Sequence, residues 1–259
     1  MKIFIPTYGR TDRQVTFDGL PKALQANAVL VVQRSEAKLY DDKYPLLVCT
    51  PSVTSIATKR QWIVDYARKA AHQHIVMLDD DLRWAERRTD EPDKFAASDA
   101  KSISRLFATL AKQLKISAHV GVSASEAAHT NPAPLRFSTR MTRVLGYDVE
   151  VLGREKIRFD RLPVQEDFDV TLQLLRKGYT NTVINGWVHN QDGSNARGGC
   201  STFRTPEMQA ETSRKLAELH HPFVKVVEKT TKTAWGGATR VDVVVQWKQA
   251  FLSHSRGAK

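Results

Sequence analysis

The chain has 259 residues, 41% of them apolar, with 39 Lys and Arg against 28 Asp and Glu, a formal charge of +11 and a pI near 9.7. That is enough to bury one large core, or a core with an appendage, and the basic surplus favours polyanionic partners: nucleic acid, nucleotides or an anionic membrane face. Two cysteines, Cys49 and Cys200, exclude a disulfide scaffold or a Cys-based zinc site, and no apolar run approaches the ~20 residues of a membrane span.

Lys2 to Tyr8 reads as a first strand. Its start lacks the apolar core of a signal peptide, and a reducing cytoplasm is the expected compartment. The strand stops at Pro6-Thr7-Tyr8-Gly9-Arg10, a turn that leaves an Arg at its end. A helical piece is expected within residues 12–25. Ala28 to Gln33 is a second strand, ending polar at Gln33, Arg34, Ser35 and Glu36, and Leu46 to Cys49 is a third. Thr50-Pro51-Ser52 then leads into a helix over residues 55–71, with Ser52 or Thr54 as candidate N-cap. Its apolar stripe is Ile56, Ile63, Ala67 and Ala70; Arg60 lies on that stripe and Lys59 flanks it. Such a cation is either an Arg snorkelling from the stripe's edge or one aimed at a diphosphate across the sheet's carboxyl edge.

His74 to Leu82, HIVMLDDDL, follows. Four apolar residues bounded by polar ones suit a strand buried on both faces, as in a parallel sheet. Asp79, Asp80 and Asp81 then fall at its carboxyl end, where open α/β sheets bind ligands. Three adjacent carboxylates repel one another and need a counter-charge. A divalent metal holding a phosphate supplies it through oxygen ligands. A solvated acidic turn or a helix N-cap is the plain alternative.

The alternation of strands and helices predicts a parallel sheet with right-handed crossovers. Residues 83–97 read as a charged surface loop, with Arg83, Arg87 and Arg88 as candidate phosphate contacts. Residues 99–115 form an amphipathic helix with Ile103, Leu106, Phe107, Leu110 and Leu114 in the core. A short strand at 119–123 and a loop at 125–135 precede residues 137–151, read as a basic surface strand or hairpin near Arg136, Arg140 and Arg143.

A second acidic cluster, Gln165-Glu166-Asp167-Phe168-Asp169, opens a helix whose core stripe is Val164, Phe168, Leu172 and Leu175 and which closes at Lys177-Gly178. The helix dipole alone favours carboxylates there. The functional alternative is a general base, with the same field keeping Asp167 ionised. Asn181 to Val188 is a further strand, ending in His189-Asn190-Gln191. The loop beyond it carries Asn195 and the glycines Gly193, Gly198 and Gly199. It permits close backbone approach to a ligand, or is simply a flexible surface loop. His189 is an ordinary histidine or, beside that loop, a metal ligand. Thr205-Pro206-Glu207 starts a helix running to about His220. Val241, Val243, Val245 and Trp247 alternate as in a half-buried strand, with a turn at Trp235-Gly236-Gly237 before it. Lys225, Lys229, Lys232, Arg240 and Lys248 make this C-terminal stretch a candidate nucleic-acid surface. Trp84, Trp187, Trp235 and Phe203 are candidates for stacking on a base, or for ordinary packing.

Taken in order, these motifs resemble the GT-A class of nucleotide-sugar glycosyltransferases over nearly the whole chain. Within that class they resemble the phage TET-associated glycosyltransferases, through Ile5-Pro6-Thr7-Tyr8-Gly9-Arg10, Asp79 to Asp81, Gln165 to Asp169, and His189-Asn190-Gln191 with its glycine loop. The resemblance implies a GT-A type, Rossmann-like α/β sandwich, with a mostly parallel central sheet flanked by helices and a C-terminal α/β appendage. Residues 1–202 would be the catalytic domain, divided into a nucleotide-binding half (1–82) and an acceptor half (83–202), with the basic unit 203–259 packed on it. It also implies sugar transfer from a UDP-sugar to a hydroxyl, most directly 5-hydroxymethylcytosine of phage DNA in the host cytoplasm, with no membrane partner. Mn²⁺ or Mg²⁺ would be held by Asp79, Asp81 and His189. Pro6, Thr7, Tyr8, Arg10, Gln33, Lys59, Arg60, Asp79 and Asp80 would bind the nucleotide sugar. Asp167, with Glu166 beside it, would be the base of an inverting displacement. Arg83, Arg87, Asn195, Gly198 and Gly199 would meet the DNA. Competing readings are a GT-A enzyme with a polysaccharide or protein acceptor, a nucleotidyltransferase, and a non-catalytic DNA-binding protein. A nucleotidyltransferase usually carries a Gly-rich phosphate loop where this chain has Pro-Thr-Tyr-Gly-Arg.

Overall fold

The computed structural model describes residues 1–128, 132–191, 204–230 and 239–256. Strand β1 (Lys2–Pro6) is followed by two helical pieces, α1 (Val15–Gly19) and α2 (Lys22–Gln25), where one segment was expected. Pro21 divides them, because it cannot continue a helix from within. Next come β2 (Ala28–Val32), β3 (Leu46–Val48), helix α3 (Ile56–Lys69) and β4 (His74–Leu78). These four strands pair in parallel in the order β3-β2-β1-β4. Ile3 and Ile5 face one core and Phe4 the other, so β1 is covered on both sides. Helix α3 is capped by Ser55 rather than Ser52 or Thr54. Ser55 Oγ accepts from Thr58 N–H at 3.2 Å, and Thr58 Oγ1 accepts from Ser55 N–H at 3.0 Å. This reciprocal box satisfies two backbone donors that the helix leaves unpaired.

Two stretches expected at the surface are strands of the sheet. Residues 83–97 form a hairpin of β5 (Leu82–Arg87) and β6 (Phe95–Ala97). Leu82, Trp84 and Ala85 are buried while Arg83 is exposed, an alternation masked by the charges around it. After α4 (Ala100–Leu114), β7 (His119–Ala124) and α5 (Ser125–Ala128), the basic segment yields β8 (Leu135–Phe137), β9 (Val144–Asp148) and α6 (Val149–Arg154). Strand β9 is central: it lies antiparallel between β4 and β7, with Val144, Leu145 and Tyr147 fully buried. Helix α7 (Glu166–Arg176) stops at Gly178, whose φ of +87° is open to glycine at little cost. Strand β10 (Thr182–Gln191) completes the sheet.

The ten-stranded order is β3-β2-β1-β4-β9-β7-β10-β5-β6, with β8 also on β10. Seven strands run one way and β5, β8 and β9 run against them, so the sheet is mixed but mostly parallel. Helices α1 and α4 cover one face; α3, α6 and α7 cover the other.

The C-terminal unit comprises α8 (Pro206–Leu219), the hairpin β11 (Val224–Thr230) and β12 (Thr239–Val245), and α9 (Trp247–Arg256). Trp247 opens α9 instead of continuing the alternating strand. The unit shares a small core with α7 through Leu172, Leu216, Val224, Val243 and Ala250. Asp169 of α7, with no exposed surface, accepts from His220 at 2.7 Å and Gln173 at 2.9 Å and forms an ion pair with Arg161 at 3.3 Å. Among the described residues no helix is long and apolar enough to cross a membrane.

Asp169→Ala strips the acceptor from the buried donors of His220 and Gln173 and the partner from Arg161, and should lower stability by about 3 kcal/mol. Urea denaturation measures this, and a loss below about 1 kcal/mol would mean that the apolar contacts alone hold the C-terminal unit.

Candidate active site

The carboxyl ends of β1, β2 and β4 open on a cavity of about 1190 Å³. Pro6, Thr7, Tyr8, Arg10, Gln33, Lys59, Arg60 and Asp79 to Asp81 line one part of it, and Glu166 and Asp167 line another. Two distant acidic segments therefore border a common space.

Local bonding sets how the aspartates present themselves. Thr16 of α1 donates through Oγ1 to the Asp79 carbonyl at 2.6 Å and through its N–H to the Asp80 carbonyl at 3.1 Å. The Asp79 N–H donates to the carbonyl of Arg143 at 3.0 Å; Arg143 sits in the left-handed region at φ 64°. Asp80 is buried, accepting from Thr7 Oγ1 at 2.5 Å and from Arg10. Burial pushes its carboxyl up to about 6, against the pull of Arg10 and the Thr7 hydrogen bond. Arg10 also reaches Asp81 at 3.1 Å. Arg10 and Arg60 thus supply part of the counter-charge that the triplet needs.

Lys59 and Arg60 are buried and do not snorkel. Lys59 Nζ donates to the Thr7 carbonyl at 2.6 Å and lies 6.0 Å from the centre of the Tyr8 ring. Arg60 donates through Nη2 to Asp79 at 2.7 Å and through Nη1 to Glu166. One guanidinium joins the end of β4 to the start of α7.

Gln165 precedes that helix in the left-handed conformation, φ 59° and ψ 22°, turning Glu166 inward. Burial drives the Glu166 carboxyl up to about 7 in spite of Arg60. Asp167 is half-buried on the lining. Burial also raises its carboxyl, more than Arg60 and Arg140 lower it. The helix field was expected to favour the ionised form; desolvation wins instead.

Other expected residues sit elsewhere. His189 is inside β10, opposite Trp84 and Ala124, fully buried and off the cavity lining. Burial, then Arg143 and Arg140, depress it to about 3, so the ring is neutral. The carbonyls of Val122 and Thr142 lie near it, but neither ring nitrogen meets hydrogen-bond geometry. Gln191, two residues on, reaches the lining. Arg87 holds the carbonyls of Asn185 at 3.2 Å and Ala128 at 2.9 Å and packs on Phe95, a structural role away from the cavity. Arg83 is exposed on β5, also off the lining. Arg88 pairs with Asp90 and Glu91 at the surface. Trp84 packs on Phe107 in the core, and Trp187 donates to Ser102 at 2.9 Å. Asn195, Gly198, Gly199, Phe203 and Trp235 lie outside the described residues. The sequence reading gave no cavity role to Arg140, Thr142 and Arg143, and named Lys229 and Arg240 of the C-terminal unit as a candidate nucleic-acid surface without placing them on this cavity. The only signal for these was their density of cations.

The model of the TET-associated glycosyltransferase family matches residues 1–199, more than three-quarters of the chain. The chain belongs to the TET-associated glycosyltransferase family. The match spans both acidic segments and Arg60 between them. A relative from enterobacteria phage T6, the beta-glucosyl-HMC-alpha-glucosyl-transferase, is 23% identical over 235 residues, covering 86% of this chain and 81% of the relative. Similar solved structures include glucosyl-3-phosphoglycerate synthase from Mycobacterium tuberculosis in complex with Mg²⁺ and UDP, at TM-score 0.48, 11% identity and coverage of 94% of this chain and 86% of that one. A cytidylyltransferase from Leptospira borgpetersenii aligns at TM-score 0.44 and 12% identity, covering 84% of this chain and 92% of that one. This TET-associated glycosyltransferase is an enzyme that transfers sugar from a nucleotide-sugar donor.

The donor set bears on a metal. All three aspartates line the cavity; the Asp79 side chain is 31% exposed, Asp81 11% and Asp80 7%, with Asp80 also held by Thr7 and Arg10. Among the described residues no three His, Cys, Asp or Glu side chains converge as a cage. Two hard carboxylates without a cage suit a cation that completes its shell with phosphate oxygens and water, the habit of Mg²⁺ at nucleotide sites.

Raised carboxyl groups carry a signed pH dependence. Glu166 binds its proton more tightly folded than unfolded. Its favourable contribution is therefore whole below the unfolded value of about 4.3 and is lost as pH rises through about 7. In the TET-associated glycosyltransferase, Glu166→Gln should gain in Tm relative to wild type as pH goes from about 5 to about 8. Thermal scans across that range check it; a gap that stays constant or reverses refutes the assignment.

Proposed function

We propose that the enzyme transfers a sugar from a UDP-sugar to the hydroxyl of 5-hydroxymethylcytosine in DNA, with inversion at the anomeric carbon and with a divalent cation at the donor. The observation that carries this reading is the pair of hydrogen bonds from Arg60, one to Asp79 and one to Glu166, beside a cavity lined by both the aspartate triplet and Asp167. Its volume of about 1190 Å³ exceeds the range usual for a single small ligand, about 300–1,000 Å³, and leaves room for donor and acceptor together.

On the donor side, Asp79 and Asp81 would hold Mn²⁺ or Mg²⁺, which when bound supplies Lewis-acid neutralisation of the departing diphosphate. Arg10, Lys59 and Arg60 surround the same region with fixed positive charge. Gln33 lines the cavity beyond β2 with its amide donating to the Val53 carbonyl at 3.0 Å, and Tyr8 presents a partly exposed ring; both serve the nucleotide. On the acceptor side, Asp167 takes the proton of the attacking hydroxyl. The new bond forms from that oxygen to the anomeric carbon as the bond to the diphosphate oxygen breaks, its electron pair leaving with UDP. Burial suits Asp167 to this work, since a carboxylate of raised proton affinity is a stronger base. Glu166 is committed to Arg60 and holds it in place.

The phage T6 relative is named for a β-glucosyl-HMC acceptor. Hydroxymethylcytosine that already bears a sugar is accordingly the second acceptor to test. The basic surplus of the chain supports DNA over a neutral glycan.

The deciding experiment incubates the enzyme with Mn²⁺, a panel of UDP-sugars, and DNA containing cytosine, hydroxymethylcytosine or its glucoside, then weighs the digested nucleosides. One added sugar mass on a hydroxymethylated nucleoside is the expected result; no gain on any DNA removes the acceptor assignment. Asp167→Asn should slow transfer by ~10²-fold or more with little change in UDP affinity, and unaltered transfer would rule Asp167 out as base. Asp81→Asn should lose the Mn²⁺-dependent part of UDP binding, and retention of that part would unseat the metal site.

A further inference from the structure

Part of the cavity wall comes from outside the family-matched stretch. That match ends at residue 199. Arg204, Gln209, Lys229, Arg240, Asp242 and Trp247 nevertheless line the same cavity, contributed by the C-terminal unit.

This wall is electropositive by construction. Lys229 Nζ and Arg240 Nη2 converge on Asp242 Oδ2 at 3.2 and 2.9 Å, so one carboxylate serves two cations and positive charge is left over. Arg204 adds to it. Its side chain is half-buried, and among the described residues no hydrogen-bond acceptor meets its buried Nε–H; the Nε–H of Arg240 is in the same condition. A buried guanidinium donor left without an acceptor is costly. Two of them lining one cavity point to an anion with several oxygens, which a guanidinium fork engages well.

The wall is also tied to the candidate base. Trp247 meets the Phe168 ring edge-on, at 5.2 Å between centroids and 78° between planes. Phe168 directly follows Asp167, and Arg140 lies over the same ring at 4.9 Å. An aromatic beside a cluster of cations suits a nucleotide better than a bare phosphate, since a base can stack while its phosphate is held.

We infer that the C-terminal wall is the acceptor subsite: Arg204 and Arg240, backed by Lys229, hold a phosphodiester of the DNA strand and so present the target hydroxyl to Asp167. This rests on the DNA reading above and deepens it. The donor diphosphate is the other source of the same anion chemistry, so the test separates the two.

Arg204→Ala, Arg240→Ala and Arg240→Lys are compared with wild type in three measurements: KM for a hydroxymethylcytosine oligonucleotide, KM for the UDP-sugar, and DNA affinity across a salt series. Both alanine variants should raise the DNA KM by roughly 10-fold or more, the size of a lost charged hydrogen bond. Each should flatten the log–log salt slope by about one for a lost phosphate contact. KM for the UDP-sugar and Kd for UDP should move by less than about twofold, well under one lost hydrogen bond. Arg240→Lys keeps the charge on Asp242, and its fold is checked by circular dichroism melting; it should recover the salt slope but not the full affinity. A rise confined to the UDP-sugar KM assigns the wall to the donor and overturns the inference. Normal DNA affinity in both alanine variants overturns it while leaving the DNA reading intact. Wild-type enzyme that binds DNA without salt dependence brings down both.

Discussion

Arg60 is the residue on which the arrangement of the site depends. It rises from α3 with a side chain 5% exposed and bonds to Asp79 at the end of β4 and to Glu166 at the start of α7. Buried ion pairs of this kind contribute little net stability, because desolvation offsets much of the attraction. What such a link provides is position. It brings together segments separated by 87 residues, Asp79 to Glu166, that no backbone pairing connects directly. Removing the cation would leave the buried Glu166 carboxyl without its partner and Asp79 without its counter-charge, and a buried charge left unpaired is costly.

Around that link the charges form an ordered hierarchy. Asp80 is neutralised by Arg10 and Thr7 and serves the fold, while Asp79 and Asp81 keep some access to the cavity. Glu166 is spent on Arg60, and Asp167 lies beside it with only partial burial. Neighbouring carboxylates thereby have different environments and can take different tasks, the usual way in which one site separates acid, base and ligand roles. Two residues in the left-handed region, Arg143 and Gln165, sit at the junctions that aim these groups. Non-glycine residues in that conformation cost energy, and such conformations cluster at functional sites.

The sequence makes plain those parts of the fold governed by local pattern. The apolar run of β4 followed by three aspartates, the amphipathic helix α4 and the Lys177-Gly178 stop all follow from spacing and chain stiffness. What it conceals are features set by distant partners. Strand β9 carries arginines on its approach and looks like a surface hairpin, yet it is completed by β4 and β7 on either side. Strand β5 hides its alternation among charges because β10 covers it. His189 looks like a strand-end ligand, but β10 runs three residues past Val188, to Gln191, and the ring lies in the interior. The direction of the Asp167 shift was equally hidden. It depends on how far the folded chain withdraws Asp167 from water, and nothing in the helix's own sequence reports that.

Helix α7 carries two attachments within one turn. Asp167 and Phe168 border the cavity, and Asp169, the next residue, grips His220 beyond α8. Asp167 and the anchor of the terminal unit thus share a rigid lever barely one turn long. Slackening that grip would tilt Asp167 together with Asp169, because both ride on the same turn of α7.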